Sequence, residues 1–185
     1  MEIIVKFVSL TLFALAVAAA SQEAKAVDGT INFSGELIDQ TCTIQVDGTA
    51  LPGNVTLPTR PISELATAGQ VAGIQDFTVS LTGCTGPAVS ATTVFLAGAT
   101  VNPATGNLIN TAATDPATEV ELQLLDGVND AAIPAGDVSA QRANNSRQTI
   151  TAGAATMPYS VQYYATGQTT AGAVESSVTF EIDYL

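Results

Sequence analysis

Apolar and polar residues alternate one by one in five short stretches of this chain, at residues 30–33, 42–46, 77–81, 120–124 and 178–182. Successive side chains of a β-strand point to opposite faces of its sheet, so this period of two is typical of strands with one buried and one wet face. Turn-forming glycine, proline, aspartate and asparagine residues separate the stretches. The pattern predicts an all-β domain of about seven strands, an immunoglobulin-like two-sheet sandwich, with a barrel as the alternative.

Helical patterns are scarce in this sequence. Residues 62–69 favour a short helix or helical turn, with Ser63 as its N-cap and Glu64 in its first turn. Residues 97–118 are rich in Thr, Ala, Asn and Gly, and they predict the end of a strand followed by a surface loop.

The first twenty residues have the pattern of a secretory signal. Lys6 precedes an uncharged apolar run that ends at Ala20, and this run is shorter than the ~20 residues a spanning helix needs. Cleavage after Ala20 is favoured, cleavage after Ala26 is the alternative, and an uncleaved anchor is a third interpretation. We therefore expect a signal at residues 1–20, an N-terminal extension at 21–35 and one domain at 36–185.

Charge and composition exclude several classes of function. The chain has 17 acidic and 5 basic residues, a net charge of −12 and no histidine. Such a surface repels nucleic acid, and histidine-based catalytic sites cannot be built. No phosphate-binding glycine loop or dinucleotide motif is present. We predict no catalytic residues, no cofactor and no metal site, although carboxylate pairs cannot be recognised without a fold.

The two cysteines, Cys42 and Cys84, form an even pair in a chain with an export signal, which predicts a disulfide. Without histidine or a second cysteine pair, a metal site is a poor alternative. Four tyrosines in the last quarter of the chain leave a carbohydrate-binding surface open, although their spacing suits core packing equally well: Tyr159, Tyr163, Tyr164 and Tyr184.

The strongest pattern lies at the two ends of the sequence. Near the N-terminus, one strand face carries Val27, Gly29, Ile31 and Phe33. Near the C-terminus, a second strand has its own apolar face, formed by Val178, Phe180, Ile182 and Tyr184. Bare strands of this kind need a sheet partner. They pair with each other in a self-complete sandwich, or with another chain.

The sequence resembles the chaperone–usher pilins of the type 1 fimbrial family. The resemblance rests on Gly29-Thr30-Ile31-Asn32-Phe33-Ser34-Gly35-Glu36 followed by Cys42, on the second cysteine at Cys84, on the penultimate Tyr184, and on Gly172 at the fourteenth position from the end. Met157-Pro158-Tyr159 and Tyr163-Tyr164-Ala165-Thr166-Gly167 also match the family pattern. The similarity covers essentially the whole chain after the signal, while residues 97–155 match mainly in composition.

The resemblance implies an incomplete immunoglobulin-like sandwich that is completed by donor-strand exchange. A periplasmic chaperone would first fill the open groove, and an outer-membrane usher would then replace it with the extension of a neighbouring subunit. Two sets of residues would meet there. The donor strand would present Val27, Gly29, Ile31 and Phe33, and the edge strand facing the chaperone would contain Gly172, Val178, Phe180, Ile182 and Tyr184. Lys25 and Glu23, at the same parity, depart from the apolar donor pattern and leave the register before Val27 open.

These features together predict an exported, non-enzymatic structural subunit of a bacterial cell-surface fimbrium that supports adhesion. Its expected partners are neighbouring subunits, the chaperone and the usher. The composition, which is rich in Ala, Thr and Gly, favours a major shaft subunit, the repeated building block of the fimbria. The alternatives are a minor adaptor subunit and a self-complete secreted carbohydrate-binding module.

Overall fold

A computed structural model describes residue 35, residues 37–144 and residues 146–185. Ten strands and two short helices are present in this part of the chain. The strands are β1 (Thr41–Val46), β2 (Thr49–Ala50), β3 (Val71–Thr85), β4 (Ser90–Phe95), β5 (Leu108–Ile109), β6 (Val120–Asp126), β7 (Ala132–Ile133), β8 (Gln148–Thr149), β9 (Ala155–Ala165) and β10 (Phe180–Tyr184). The helices are a 3₁₀ turn (Ile62–Leu65) and α1 (Val138–Arg142).

The larger sheet has the order β2-β1-β3-β9-β6-β5, with β7 paired to β6. Its centre is the antiparallel pair of the two longest strands, β3 and β9, in which Phe77 lies opposite Tyr159. A bulge shifts the register of β3 between Ala72 and Gln75, and Gly73 within it has a φ of 65°, a conformation that favours glycine.

The smaller sheet has the order β10-β4-β8 and is also antiparallel. Ile182 of β10 lies opposite Thr93 of β4, and Ala91 lies opposite Gln148 of β8. The predicted all-β immunoglobulin-like class is therefore confirmed, and the strands expected at 42–46, 77–81, 120–124 and 178–182 overlap β1, β3, β6 and β10. The strand expected at 30–33 lies outside the described residues.

Apolar side chains from both sheets form one core. Leu81, Val79 and Met157 of the larger sheet are almost completely buried. Phe95 of the smaller sheet packs edge-on against Tyr159, with 5.2 Å between ring centroids. Burying each large side chain of this kind contributes roughly 1.5–3 kcal/mol, so this shared core holds the two sheets together.

The predicted disulfide is present and joins β1 to β3. Cys42 and Cys84 are 42 residues apart in sequence, and their Cα atoms are 4.1 Å apart. Closing a loop of that length in the unfolded chain corresponds to about 4 kcal/mol in the chain-entropy account. The bond therefore fixes the start of β1 against the end of β3.

The helices differ in part from the sequence-based expectation. The turn predicted at 62–69 exists as the shorter 3₁₀ turn, but its N-cap is Pro61, so the assignment to Ser63 was wrong. No side chain caps it, and Glu64 instead accepts a salt bridge of 2.7 Å from Arg60. Helix α1 was not predicted. Asp137 caps it by accepting a hydrogen bond from Ala140 N, and this bond lowers the pKa of the Asp137 carboxyl.

The loop expected at 97–118 contains only the two-residue strand β5. None of the helices in the described part of the chain is long and apolar enough to cross a membrane.

Candidate functional site

The last twelve residues form an extended segment whose backbone is paired on one side. Ser90 N donates to Leu185 O and Leu185 N donates to Ser90 O, each over 3.0 Å. Directly bonded pairs alternate with non-bonded pairs in an antiparallel ladder, so Asp183 and Glu181 are also bonded to β4. Leu96 N donates to Thr179 O over 2.9 Å and continues the same alternation.

The odd-numbered residues upstream of β10 also form hydrogen bonds through their carbonyl groups, and the donors belong to the loop that contains β5. Thr100 Oγ1 donates to Ser177 O over 2.6 Å, and Thr111 N donates to Glu175 O over 2.7 Å. Within the described ranges, no backbone hydrogen bond is made by the N–H or C=O of Val174, Ser176 or Val178. The even-numbered backbone groups from 174 to 184 therefore face an unpaired edge.

The even-numbered side chains on this edge form an apolar row. They are half-buried and pack against the core, whereas Glu175, Ser177, Thr179 and Glu181 between them are exposed. The row consists of Val174, Val178, Phe180, Ile182 and Tyr184. Desolvation raises the pKa of the Tyr184 phenol above its ordinary value of 10.0.

Residues 51–60 form a second extended segment beside the same core. Val55 and Leu57 are half-buried against the core, while Asn54 and Thr56 are exposed. Gly53 allows a close approach to β1, since a Cβ there would lie 2.7 Å from Val46 Cγ2. Among the described residues, none forms a backbone hydrogen bond with residues 51–60. The two segments thus share a core, and each has backbone groups without partners.

The two segments meet at one end in a cavity of about 380 Å³. Thr59 comes from the first segment, Val174 from the second, and Leu65 and Tyr163 from the larger sheet side. Burial raises the pKa of the Tyr163 phenol above 10.0. Eight of its thirteen lining residues are apolar, among them Leu65 and Val174, so the cavity can hold an aliphatic side chain.

Side chains close the opposite edge of β4, in contrast to the open edge of β10. Tyr159 Oη accepts a hydrogen bond from Thr93 N over 3.0 Å. Gln141 Oε1 accepts from Phe95 N over 2.7 Å, and its Nε2 donates to Phe95 O and to Pro134 O, each over 2.9 Å. Buried polar side chains therefore satisfy the backbone on one edge of this sheet, whereas the other edge has no strand partner among the described residues.

Two arginines hold the outer face of β10. Arg142 Nε lies 3.1 Å from Asp183 Oδ1, and Arg147 makes a salt bridge to Asp183 Oδ2. Arg147 Nη1 also donates to the Asp183 carbonyl oxygen over 3.4 Å. These contacts tie the residues around α1 to the edge strand on the side away from the apolar row.

The predicted edge-strand residues come together, with one exception. Val178, Phe180, Ile182 and Tyr184 share one face, whereas Gly172 lies before the apolar row, in the wall of the cavity. A Cβ at Gly172 would lie 2.5 Å from Asp115 O, which explains the glycine by close backbone contact. The predicted donor residues Val27, Gly29, Ile31 and Phe33 lie outside the described residues.

Sequence reasoning did not identify residues 51–60 as part of this site. The signal was present, because Val55 and Leu57 alternate with polar residues. The tyrosines do not form a common surface, since Tyr159 is buried in the core. In the part of the chain that the structure describes, no group of three or more candidate ligand side chains is placed to hold a metal ion.

The sequence is similar to those of known fimbrial proteins. Residues 57–185 match the family model "FimA: Type-1 fimbrial protein, A". The major fimbrial subunit SMF-1 of Stenotrophomonas maltophilia is 43% identical over 90% of this chain and 98% of its own length. The F17 fimbrial protein of Escherichia coli is 39% identical over 90% of this chain and 93% of its own length.

A solved structure shows the same fold at low sequence identity. It is the structure of a chaperone–usher pilus that reveals the basis of rod uncoiling, and one of its chains superposes with a TM-score of 0.56. The match covers 86% of this chain and 96% of the other at 16% identity.

Proposed function

The chain belongs to the type 1 fimbrial protein family and is an exported structural subunit of a bacterial surface fimbria, and we propose that it joins its neighbours by donor-strand exchange. The observation that carries this proposal is the edge at residues 174–184, whose even-numbered backbone groups have no backbone partner among the described residues and whose side chains form the apolar row. We call the surface between this edge and residues 51–60 the groove. In the proposal, the N-terminal extension of one subunit lies in the groove of the next. Its backbone bonds the unpaired edge, and its alternate side chains enter the groove.

We define the donor segment as residues 27–37, two residues beyond the boundary expected from sequence. Leu37 is fully exposed, and a Cβ built on Gly35 would meet no atom of the described residues within 4 Å. Both continue the parity of Val27, Gly29, Ile31 and Phe33. An exposed leucine in line with an apolar strand face is explained if it is buried in another subunit.

The lengths of donor and acceptor match. The donor has six alternate positions from 27 to 37, and the acceptor has six even positions from 174 to 184. All the strand pairs of both described sheets are antiparallel, so we assign an antiparallel register. Leu37 then lies beside Val174 at the cavity, and Val27 lies beside Tyr184.

The apolar side chains supply the energy of this contact. Burying Val27, Ile31, Phe33 and Leu37 is worth on the order of 6–12 kcal/mol before the costs of association. Gly35 would face Ser176, where the small residues allow the two backbones to approach closely.

The open edge also supports roles for the chaperone and the usher. An exposed apolar strand edge promotes aggregation, so a subunit in the periplasm needs a temporary strand partner. We propose that a chaperone strand covers residues 174–184 and that an usher exchanges it for the next extension. Donor and acceptor are different surfaces of one chain, so the contact is heterologous and builds an open filament. The proposal gives the chain no catalytic step.

Within the fimbria, we propose that the chain is the shaft subunit, because its 43% identical relative is a major subunit. Quantitative analysis of isolated fibres tests this assignment. A content of one or two copies per fibre would instead make the chain a minor subunit.

Thermal unfolding tests donor-strand exchange. The acceptor chain is residues 21–185 carrying Ile31→Asp, which disables its own extension, and the donor peptide is residues 21–38. We expect the wild-type peptide to raise the melting temperature strongly, and the Ile31→Asp peptide to leave it unchanged. Equal effects of the two peptides would overturn the proposal.

A further inference from the structure

We propose that Asn110 is a positioning residue that holds the cavity end of the groove ready for the donor strand. The inference rests on the proposed function, because it concerns how the acceptor binds Leu37. Asn110 does not line the cavity; it acts through the two chain segments that do.

The Asn110 side chain uses its full hydrogen-bonding capacity. Its Nδ2 donates to Ala117 O over 2.8 Å and to Ala173 O over 2.9 Å. Its Oδ1 accepts from Ala112 N over 3.1 Å and from Glu175 N over 2.9 Å. One half-buried amide therefore connects the loop after β5 to the start of the acceptor segment.

This part of the acceptor segment has no strand ladder to hold it. The pairing of β10 with β4 ends at Phe180 and Phe95, and Leu96 N makes the next backbone bond to Thr179 O. Residues 173–177 are bonded instead to the loop that contains β5: Thr100 Oγ1 donates to Ser177 O, and Ser176 Oγ donates to Ile109 O. Asn110 makes more of these side-chain bonds than any other residue of that loop.

The carbonyl groups that Asn110 binds belong to the cavity wall. Ala117 and Ala173 both line the cavity, and their backbones are also joined by a bond of 2.9 Å from Ala117 N to Ala173 O. The amide thus adds a second link between the two walls of the cavity. Without it, residues 173–175 lose two bonds to the loop, the one that Ala173 O accepts and the one that Glu175 N donates. The backbone bonds from Thr111 N and Ala117 N remain, so we expect the chain to fold with a less well-defined site for Leu37.

The other end of the groove does not depend on this device. Tyr184 lies within the β4–β10 ladder, and the neighbouring Asp183 is held by Arg142 and Arg147. Loss of the Asn110 side chain is therefore expected to affect the binding of Leu37 and to spare the binding of Val27.

A double-mutant cycle tests this difference between the ends. Association and dissociation rates of labelled donor peptides are measured on the acceptor chain and on the same chain with Asn110→Ala. The peptides are wild type, Leu37→Ala and Val27→Ala. We expect Asn110→Ala to weaken binding of the wild-type and Val27→Ala peptides by about tenfold, and of the Leu37→Ala peptide by less than about threefold, as for residues that share a site.

Two further variants complete the design. Asn129→Ala is the matched control, because Asn129 accepts a bond from Ala131 N in a separate turn, and we expect unchanged affinities. Asn110→Asp keeps the acceptor atom and loses both N–H donors, and it should reproduce the coupling if Asn110→Ala does not fold. Equal weakening of all three peptides, or none, would overturn the inference. Failure of the wild-type peptide to bind the parent acceptor would instead contradict the proposed function.

Discussion

Replacing Gln141 with leucine should lower the free energy of unfolding by about 2–4 kcal/mol. The Gln141 side chain is 1% exposed and makes three hydrogen bonds to backbone groups of Phe95 and Pro134. Both carbonyl groups keep another donor, Gly136 N for Phe95 and Asp137 N for Pro134. Phe95 N keeps no acceptor among the described residues. A buried N–H without an acceptor costs about 1–3 kcal/mol, and the loss of one donor from each of the two carbonyl groups adds roughly 1 kcal/mol.

Unfolding in urea of the acceptor chain with donor peptide bound measures this decrease in the free energy of unfolding. Gln162→Leu is the matched control, because the Gln162 amide bonds only the Gln123 side chain in the described structure. Its loss should be below about 1 kcal/mol. A free energy of unfolding for Gln141→Leu within about 0.5 kcal/mol of the parent chain, or a loss equal to that of the control, would refute the view that this side chain closes the edge of β4. The limit of 0.5 kcal/mol is about the effect of an ordinary surface substitution.

Three further results are expected. Tyr159→Phe should cost about 1–3 kcal/mol in urea unfolding, because Thr93 N loses its partner, and an unchanged midpoint would contradict this. Replacing both cysteines of the disulfide with serine should cost about 4 kcal/mol in the same assay, and a loss below 1 kcal/mol would exclude a structural role. The raised pKa of Tyr163 and Tyr184 means that stability is lost as pH rises above 10.0, because the unfolded chain ionises first. Binding of the donor peptide should raise the pKa of the Tyr184 phenol further, because the peptide removes water from the groove. A lower pKa with peptide bound would show that water still reaches Tyr184.

The sequence predicts best what local alternation controls. Alternation located β6 at 120–124, although Glu121 on its polar side is buried and accepts hydrogen bonds from Asn102, Thr105 and Asn107. The strands at 42–46 and 77–81 were visible because one face of each is more deeply buried than the other. The apolar face of β10 was visible for the same reason. The disulfide followed from a single cysteine pair in a chain with an export signal.

Features that depend on distant partners were not visible. Gln141 and Asn110 look like ordinary loop residues, and their importance comes from backbone groups 46 and 63 residues away. Helix α1 is only five residues long, too short to show a helical period. The proposed extension of the donor segment to Leu37 also rests on the structure, because only the exposure of Leu37 distinguishes it from a core leucine.

Hydrogen exchange along β10, followed by NMR on the acceptor chain, tests the central claim most directly. Without donor peptide, the amides of Glu181 and Asp183 should be protected, and those of Phe180, Ile182 and Tyr184 should exchange rapidly. Adding the peptide of residues 21–38 should protect the three even-numbered amides as well. Protection of those amides in the free chain would show a closed strand edge, and rapid exchange with peptide bound would show that the extension does not pair with this edge.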